Sequence, residues 1–384
     1  MAIRWALATA VAIIAVAMSA APIPVMDLHS DTLLRVIDNG VDLADEGPWP
    51  NATLPHMREG HVTEQVYAVW TDSRSLHGIA STGRAMRMIG AFEAQAERHR
   101  DQMALARSMA EAREIVDSGR IAIILWLEGG APIDENLDIL REFHRLGIRG
   151  MTLTWMNNLP WAGSSTDPRN PEMGLTDFGR DVVREMNRIG MVVDLSHVSD
   201  QTFYDALEVT TDPVVLSHSC CKALSDHPRN VTDDMLRALA ENGGVIGLNI
   251  FPGYLSLTWE PAWDATADSL RAEIDALAEE HRRGTGAYRE ARRRLIQENM
   301  PEEAVVTLDL YLDHIDHAIE VAGPEHVALG SDYDGIGAYP VGLESPANWQ
   351  IVAEAMRERG HSEEVIRGVM GDNARRVFEQ VIDH

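Results

Sequence analysis

Short apolar runs alternate along the chain with longer polar stretches of helical periodicity. Eight runs are rich in β-branched and other apolar residues, at 25–29, 65–70, 121–126, 150–154, 191–195, 213–216, 244–249 and 326–330. Strands buried on both faces have such continuous apolar runs, and their alternation with helices is typical of parallel βαβ units. Eight units predict an α/β fold, a (β/α)8 TIM-type barrel. An open doubly wound sheet is the alternative, but no G-x-G-x-x-G turn follows the first run.

Helices are expected between these strands, and one segment departs from the repeat. The stretches of helical character are 83–117, 134–146, 175–189, 199–207, 232–241, 306–322 and 362–382. Residues 260–303 are highly charged and lie between the seventh and eighth predicted strands, so we expect an inserted pair of helices on the rim of the barrel. Because no linker or internal repeat is found, residues 22–384 are predicted to form a single domain.

The first 21 residues form an apolar segment with a single positive charge. A basic start, an apolar core and small residues before Pro22 are typical of a secretory signal peptide, cleaved after Ala20 or Ala21. The alternative is an uncleaved membrane anchor, although the apolar stretch is at the lower length limit for a spanning helix. We therefore expect a periplasmic, extracellular or membrane-anchored protein. A start at Met26 would instead leave the protein in the cytoplasm.

The composition is strongly acidic, with 33 Lys and Arg against 60 Asp and Glu among 384 residues, a formal net charge of −27. Nucleic acids and anionic lipid surfaces select basic proteins, so this charge argues against both as partners. Hydrophobic residues make up 45% of the chain, which is enough for a full core. The only cysteines, Cys220 and Cys221, are adjacent and are interpreted as small buried residues at a strand end.

Polar side chains follow five of the predicted strands, where the active site of such a barrel is built. They are His29, Asp31, Glu128, His197, His218 and Asp332. Residues i and i+2 of a strand point the same way, so His29 and Asp31 can bind one cation. Glu128 has two oxygens and can bridge to a second cation. Imidazole and carboxylate ligands suit Zn²⁺ and its first-row neighbours, and two such ions about 3.5–4 Å apart can hold a bridging hydroxide.

Each of these residues also has a structural interpretation. Asp31 could cap the following helix, and Glu128 could pair with an Arg. Five coincidences at one barrel face favour the metal centre instead. His314 and His317, at i and i+3 of a predicted helix, are expected to face solvent.

At these residues the chain resembles the membrane (renal) dipeptidase family, peptidase M19-type, of the amidohydrolase superfamily. The shared motifs are DLHSDT at 27–32, LEGG at 127–130, DLSHVS at 194–199, LSHS at 216–219, HPRN at 227–230 and GSDYDG at 330–335. The resemblance implies two Zn²⁺ per chain, with other first-row metals as alternatives. The implied ligands are His29 and Asp31 for one ion, His197 and His218 for the other, and Glu128 as the bridge. Superfamily relatives that bridge with a carboxylated Lys differ, since no Lys stands in 147–170.

The resemblance implies further roles. Asp332 would pass the proton of the attacking water to the leaving amine, and Arg229 would bind the terminal carboxylate of the substrate. Tyr254 would add a substrate contact. Trp155 departs from the family, because mammalian members have there a His that contacts the scissile carbonyl. An indole N–H can donate a hydrogen bond but cannot be protonated, and one of the asparagines at 157–158 could take part of this task.

The expected function is therefore hydrolysis of dipeptides through a metal-bridging hydroxide. By resemblance, it extends to dipeptides with a D residue at the C-terminal position, and the protein is expected to be a homodimer. Two alternatives stay open. One is another binuclear amidohydrolase acting on N-acyl amino acids, cyclic amides or lactones, which would have the same metal site. The other is a metal-binding homologue without catalysis, for which Trp155 is the supporting feature.

Overall fold

Parallel strands form the centre of the structure. The structure is a computed structural model and describes residues 21–47, 49–283 and 285–383. Within these ranges the strands are β1 Val25–Ser30, β2 Val62–Trp70, β3 Met103–Leu105, β4 Ile121–Glu128, β5 Ile148–Thr152, β6 Val192–Asp194, β7 Val215–Ser219, β8 Val245–Leu248 and β9 Val327–Leu329. Their order is β2-β1-β9-β8-β7-β6-β5-β4, and pairing of β2 with β4 closes the ring. The predicted eight-stranded (β/α)8 barrel is confirmed.

Helices surround this ring. They are α1 Thr32–Asn39, α2 Leu54–Glu59, α3 Ile79–Arg98, α4 Met109–Asp117, α5 Leu137–Arg145, α6 Asp177–Ile189, α7 Asp200–Val209, α8 Asp233–Glu241, α9 Pro252–Leu255, α10 Trp259–Ser269, α11 Arg271–Glu280, α12 Gly286–Gln297, α13 Leu308–Ala322, α14 Trp349–Glu358, α15 Glu363–Arg367 and α16 Asn373–Ile382. Short 3₁₀ turns lie at Ala131–Ile133, Glu302–Ala304, Pro324–His326 and Pro346–Asn348, and a π turn lies at Gly368–Asp372.

The apolar runs form strands because both of their faces are covered. All eight residues of β4 are buried, with alternate side chains directed into the barrel and towards the helices. Inside the barrel, Trp126 stacks on Phe378 of α16, with ring centroids 5.5 Å apart. This C-terminal helix therefore closes one end of the barrel, and the carboxyl ends of the strands are left to form the site at the other end.

Side-chain caps determine where several helices begin. Ser108, Thr176, Ser199 and Thr232 each accept a hydrogen bond from the backbone N–H three residues on. Such caps satisfy donors that the first turn of a helix leaves unpaired. The polar segments between strand ends and helices are therefore anchored at their far end, which holds the loops around the site in place.

Two predicted elements differ from the observed ones. The continuous helix over 83–117 is wrong, because α3 and α4 are separated by β3, which pairs with the start of β4 outside the ring. Three strand residues are too few to interrupt a helical pattern in the sequence. The expected helical pair at 260–303 is present as three helices, α10, α11 and α12. No helix within the described ranges is long and apolar enough to cross a membrane. The predicted signal or anchor segment falls, for residues 1–20, outside the described residues.

His314 is a further correction, since it is fully buried rather than exposed. Its Nδ1 accepts a hydrogen bond from the N–H of Cys221 at 3.2 Å, and its Nε2 lies 3.3 Å from the carbonyl of Leu255. His317 is half-buried and lies 2.8 Å from a carboxylate oxygen of Asp233. The two cysteines are buried and unbridged, as predicted.

Candidate metal centre and active site

The five predicted metal ligands lie together at the carboxyl end of the barrel. They come from the ends of four strands or the residues just beyond: His29 and Asp31 after β1, Glu128 at β4, His197 after β6 and His218 at β7. Each residue is at most 5% exposed. Because all the strands are parallel, their ends meet at one face, and the sequence positions alone bring these side chains together.

Glu128 lies at the centre of the group. Its Oε2 is 3.5 Å from Nε2 of His29, while its Oε1 is 3.3 Å from Nε2 of His197 and 3.8 Å from Nε2 of His218. On the other side of His29, Asp31 Oδ2 lies 3.7 Å from Nε2. The two carboxylate oxygens of Glu128 thus face different histidines, and the ligands fall into two groups on either side of this residue.

Several buried nitrogen and oxygen atoms that could bind a metal have no hydrogen-bond partner among the described residues: both ring nitrogens of His29, Oδ1 of Asp31, Oε2 of Glu128 and Nδ1 of His197. Leaving such an atom unpaired costs about 1–3 kcal/mol. Two triplets each bring one ligand atom per residue within 4.8 Å of one another: His29 with Asp31 and Asp332, and His29 with Glu128 and His218. The donor set and its unpaired atoms fit a divalent metal ion.

The structural alternatives for two of these residues do not hold. Asp31 occupies the N-cap position of α1, but its side chain accepts no capping hydrogen bond. The carboxylate of Glu128 faces histidines rather than an arginine. Both carboxylates are therefore free to act as ligands.

Burial and charge set the protonation of the group. Burial, with the nearby charge of Asp31, raises the pKa of Glu128 to about 7. Burial lowers the pKa of His197 and of His218 well below the ordinary value. At His29, burial is outweighed by the carboxylates of Glu128 and Asp31, which raise its pKa well above the ordinary value. The two neutral imidazoles are in the state that metal binding requires.

A buried network orients His218. The hydroxyl of Ser217 donates its one proton to Asp194 at 2.6 Å, so its oxygen accepts from Nδ1–H of His218 at 2.7 Å. This arrangement leaves Nε2 of His218 as the ligand atom, a common way of fixing a metal-binding histidine. Sequence analysis did not assign Asp194 or Ser217, although both stand in the motifs DLSHVS and LSHS. Their buried partners lie on neighbouring strands and cannot be found from one strand alone.

Asp332 faces the same centre. Its Oδ2 accepts a hydrogen bond from Nδ2 of Asn249 at 3.0 Å, and its backbone N–H donates to the carbonyl of His29 at 3.1 Å. Asp332 and His197 have φ of 63° and 67°, a left-handed conformation that is unusual for non-glycine residues and frequent at functional sites. Burial, with the charges of Asp31 and Glu128, raises the pKa of Asp332 well above its ordinary value despite the opposing effect of His29. Asn249 was not predicted from the sequence.

The candidate metal centre opens into a cavity of about 330 Å³ whose walls combine these polar residues with aromatic and aliphatic side chains. Trp155 lies edge-on to Trp70, with ring centroids 4.9 Å apart, and its centroid is 6.4 Å from that of His197. The guanidinium of Arg74 lies 4.6 Å from the Trp155 ring. Trp155 is therefore part of the cavity wall beside the metal centre, as its position in the sequence indicates.

The asparagines that follow Trp155 are placed differently. The Oδ1 of Asn157 accepts a hydrogen bond from Ser73, and its Nδ2 donates to the carbonyl of Asn158. The side chain of Asn158 bonds to the backbone of Asn170 and Ser164. Neither side chain is among the described residues that line this cavity, and the expectation that one of them contacts the substrate stays a prediction.

Arg229 is buried, at 3% exposure, beside the metal ligands. Its Nη2 donates to the carbonyl of His218 at 3.0 Å, while its Nε has no partner among the described residues. The guanidinium lies 5.3 Å from the ring of Tyr254, whose pKa burial raises to about 12. Within the described chain no carboxylate pairs with Arg229, so it can receive the carboxylate of a ligand.

Proteins that are similar to this chain in sequence or in structure include several dipeptidases. Dipeptidase 3 of Rattus norvegicus is 34% identical over 295 residues, which are 73% of this chain and 51% of that protein. The chain spans about half the length of the curated relatives it matches. The solved structure of a dipeptidase described as a metallo peptidase of family M19 is 26% identical, with a TM-score of 0.77 over 95% of this chain and 100% of that one.

A second solved structure is a metallo peptidase from Rhodobacter sphaeroides, liganded with a phosphinate mimic of the dipeptide L-Ala-D-Ala. It is 26% identical, with a TM-score of 0.75 over 94% of this chain and 100% of that one. The profile of the family described as membrane dipeptidase matches residues 16–384, nearly the whole chain. The chain therefore belongs to the membrane dipeptidase family, peptidase family M19.

Proposed function

We propose that the chain is a metal-dependent dipeptidase, a hydrolase of peptide bonds in dipeptides. The proposal rests on one arrangement: buried metal-ligand atoms without partners lie beside Asp332 and beside the buried guanidinium of Arg229. In a purely structural site these groups would be paired with one another, whereas metal ions together with a substrate that has a carboxylate and an amide would use all of them.

Zinc is the metal we propose, because histidine nitrogen and carboxylate oxygen are its usual ligands in hydrolases. His29 and Asp31 would hold one ion, and His197 and His218 the other, with Glu128 between them. When bound, such a pair of ions polarises the substrate carbonyl and lowers the pKa of water towards neutrality. The hydrogen bond from Nδ1–H of His218 to the hydroxyl oxygen of Ser217 orients this histidine before any ion arrives.

Asp332 is the proposed proton carrier. Its Oδ2 is held by Asn249, which leaves Oδ1 to accept a proton from the attacking water and to deliver it to the leaving amine nitrogen. Burial and the neighbouring carboxylates raise its pKa, so the protonated form is accessible during turnover. The left-handed backbone at Asp332 directs the side chain back across the end of β1, towards His29.

Arg229 is the proposed receptor for the terminal carboxylate of the substrate. Its Nη2 donates to the carbonyl of His218 and its Nη1 lies 3.5 Å from the hydroxyl of Ser219, so the unpaired Nε and the second N–H of Nη2 remain for two parallel hydrogen bonds to a carboxylate. A fixed guanidinium next to the metal ligands limits the chain beyond the scissile bond to one residue. Trp70, Trp155 and Tyr254 line the cavity, and their rings would shield the other side of a bound peptide from water.

The proposal includes three finer points. Acceptance of a D residue at the C-terminal position is supported by the R. sphaeroides relative, which is liganded with a mimic of L-Ala-D-Ala. Export, or anchoring by residues 1–21, is supported by the apolar start of the chain. A homodimer is proposed from family membership. Mass spectrometry of the mature N-terminus and light scattering test the last two points.

The test of the function is hydrolysis of a small panel by zinc-loaded protein. The panel contains L-L and L-D dipeptides, an N-acyl amino acid and a tripeptide, with a chelator-treated control. Chelator-sensitive cleavage of dipeptides but not of the tripeptide is the expected result. Cleavage of the N-acyl amino acid alone would refute the dipeptidase assignment in favour of another binuclear amidohydrolase. Binding of two metals without any turnover would indicate a silent homologue.

A further inference from the structure

A second cavity, of about 130 Å³, opens beside the active-site cavity and is rich in arginine. Its wall carries Arg35, Arg289, Arg292 and Arg293, with Glu290 as the only carboxylate in the lining formed by the described residues. We call it the basic cavity. It shares Ile336 and Gly337 with the active-site cavity, so the two are separated only by the loop that follows Asp332. Such a concentration of positive charge is unexpected in a chain with a net charge of −27.

Most of this charge is not neutralised. Arg293 pairs with Glu290 at 2.8 Å. Arg289 and Arg292 form no hydrogen bond or ion pair with any residue in the described part of the chain. Arg35 is 8% exposed, and its buried Nε has no hydrogen-bond partner there either. Two guanidiniums, those of Arg289 and Arg292, and the Nε of Arg35 therefore have no acceptor among the described residues.

The carboxylate of Asp334, which interacts electrostatically with Arg35, is already engaged. Arg35 donates to the backbone carbonyl of Asp334. The side chain of Asp334 is buried and accepts hydrogen bonds from the hydroxyl of Thr32 at 2.7 Å and from the backbone N–H groups of Asn51 and Ala52. It is thus turned towards those three residues, and it leaves Nε of Arg35 unpaired.

Trp49 holds two of the arginines near each other. The guanidiniums of Arg35 and Arg289 lie 5.5 and 5.6 Å from the centroid of its ring. Gly286, at the start of α12, packs closely on the same ring, where an added Cβ would lie 2.4 Å from a ring carbon. The helix that carries Arg289 is therefore seated directly on Trp49. Partial burial and the positive charge of Arg35 both lower the pKa of Arg289.

We propose that the basic cavity is a binding subsite for a small oxyanion, a carboxylate or phosphate group. Guanidiniums with free donors recognise such groups through charge-assisted hydrogen bonds. A water molecule occupies about 30 Å³ in the liquid, so the cavity has room for a group of four or five non-hydrogen atoms. If the substrate supplies this group, it would be the acidic side chain of a dipeptide, and that possibility rests on the proposed function. A free phosphate would not depend on it.

The first arm of the test measures inorganic phosphate binding to the zinc-loaded protein by calorimetry. The variant R289Q/R292Q removes the two unpaired arginines, and R87Q/R282Q removes the same charge from exposed positions outside the cavity. Phosphate held elsewhere, including at the metals, is common to all three proteins. We expect the affinity to fall by at least roughly tenfold in R289Q/R292Q alone. Thermal melting of the three proteins establishes that they are equally folded.

The second arm compares hydrolysis of dipeptides containing Asp or Glu with that of their Asn or Gln counterparts. If the substrate supplies the anion, the acidic-to-neutral ratio of kcat/KM falls by roughly tenfold in R289Q/R292Q and is unchanged in R87Q/R282Q. The subsite is overturned if both variants match the wild type in phosphate affinity and in this ratio. Should no dipeptide be cleaved, the proposed function fails, and the phosphate arm alone decides on the subsite.

Discussion

Replacing Gly335 by alanine adds one methyl group beside the proposed metal centre and therefore tests it. It lies on the loop after β9, and a Cβ at this position would be 2.2 Å from both Asp31 Oδ2 and Asp332 Oδ1. Carbon–oxygen contacts are ordinarily about 3.3 Å or longer, so each oxygen would have to retreat by about 1 Å. The φ of Gly335 is not positive, so alanine adds no left-handed strain. The substitution therefore acts on the two carboxylates.

The size of the expected effect follows from the tolerance of metal sites. Ligand distances in functional sites vary by about 0.2 Å, and a shift of about 1 Å exceeds this range. Changes that only disturb the orientation of a ligand already weaken metal binding by about 10–100-fold. We therefore expect Gly335→Ala to weaken zinc binding by roughly 100-fold, or about 2.7 kcal/mol. Dipeptide hydrolysis should fall with it at limiting zinc.

The assay is zinc titration in competition with a chromophoric chelator. Gly337→Ala is the matched control, because it lies on the same loop and an added Cβ there would have no neighbour within 4 Å. Melting temperatures in the presence of chelator separate a loss of metal from a loss of fold. If Gly335→Ala binds zinc as tightly as Gly337→Ala, then Asp31 is not a ligand in the observed position and our account of the site is incorrect.

Three further predictions test the proton carrier, the carboxylate receptor and a buried histidine. Asp332→Asn should lower kcat by roughly 100-fold or more with zinc content unchanged, since general acid–base groups contribute on this scale; full turnover would contradict the role. Arg229→Lys should raise KM for dipeptides by roughly tenfold, because a point charge cannot form two parallel bonds, whereas an unchanged KM would exclude this contact. Burial lowers the pKa of His314 to about 4. As the pH falls from the ordinary pKa of 6.5 towards 4, His314 is therefore protonated in the unfolded chain but remains neutral in the folded chain. The free energy of unfolding therefore decreases between pH 6.5 and 4 by up to about 1.4 kcal/mol per pH unit. His314→Asn, which keeps an acceptor for the N–H of Cys221, should make this dependence of the unfolding free energy on pH less steep in urea melts. Equal slopes for the variant and the wild type would disprove the effect of His314.

The strands were predictable because they are buried on both faces. The runs at 25–29 and 121–126 lie within β1 and β4, whose residues are all buried. By contrast, β3 has three residues and follows a polar turn, so its sequence does not differ from that of the helices around it. It is held by pairing with the first residues of β4. Non-local pairing of this kind leaves no periodic signal in the segment that depends on it.

The same distinction applies within the site. The positions of His29 and Glu128 follow from strand ends, since closure of a parallel barrel brings all such ends to one face. The roles of Asn249 and Asp194 depend on the direction of side chains across neighbouring strands. His314 was expected to face solvent but is buried, because the sequence of a helix does not indicate whether a histidine on it will be buried. Only packing against Cys221 and Leu255 determines it.

Chemistry and specificity therefore have different origins in this chain. The proposed metal ligands project from strand ends, whose positions the hydrogen bonds of the barrel fix. The groups that would contact the rest of a substrate come from loops and from the insertion, and the basic cavity joins Trp49 to α12 across more than 200 residues of sequence. Such segments can change without disturbing the barrel, so the reaction type can be conserved while the substrate range differs. Substrate range should therefore respond to substitutions in α12 that leave zinc affinity unchanged.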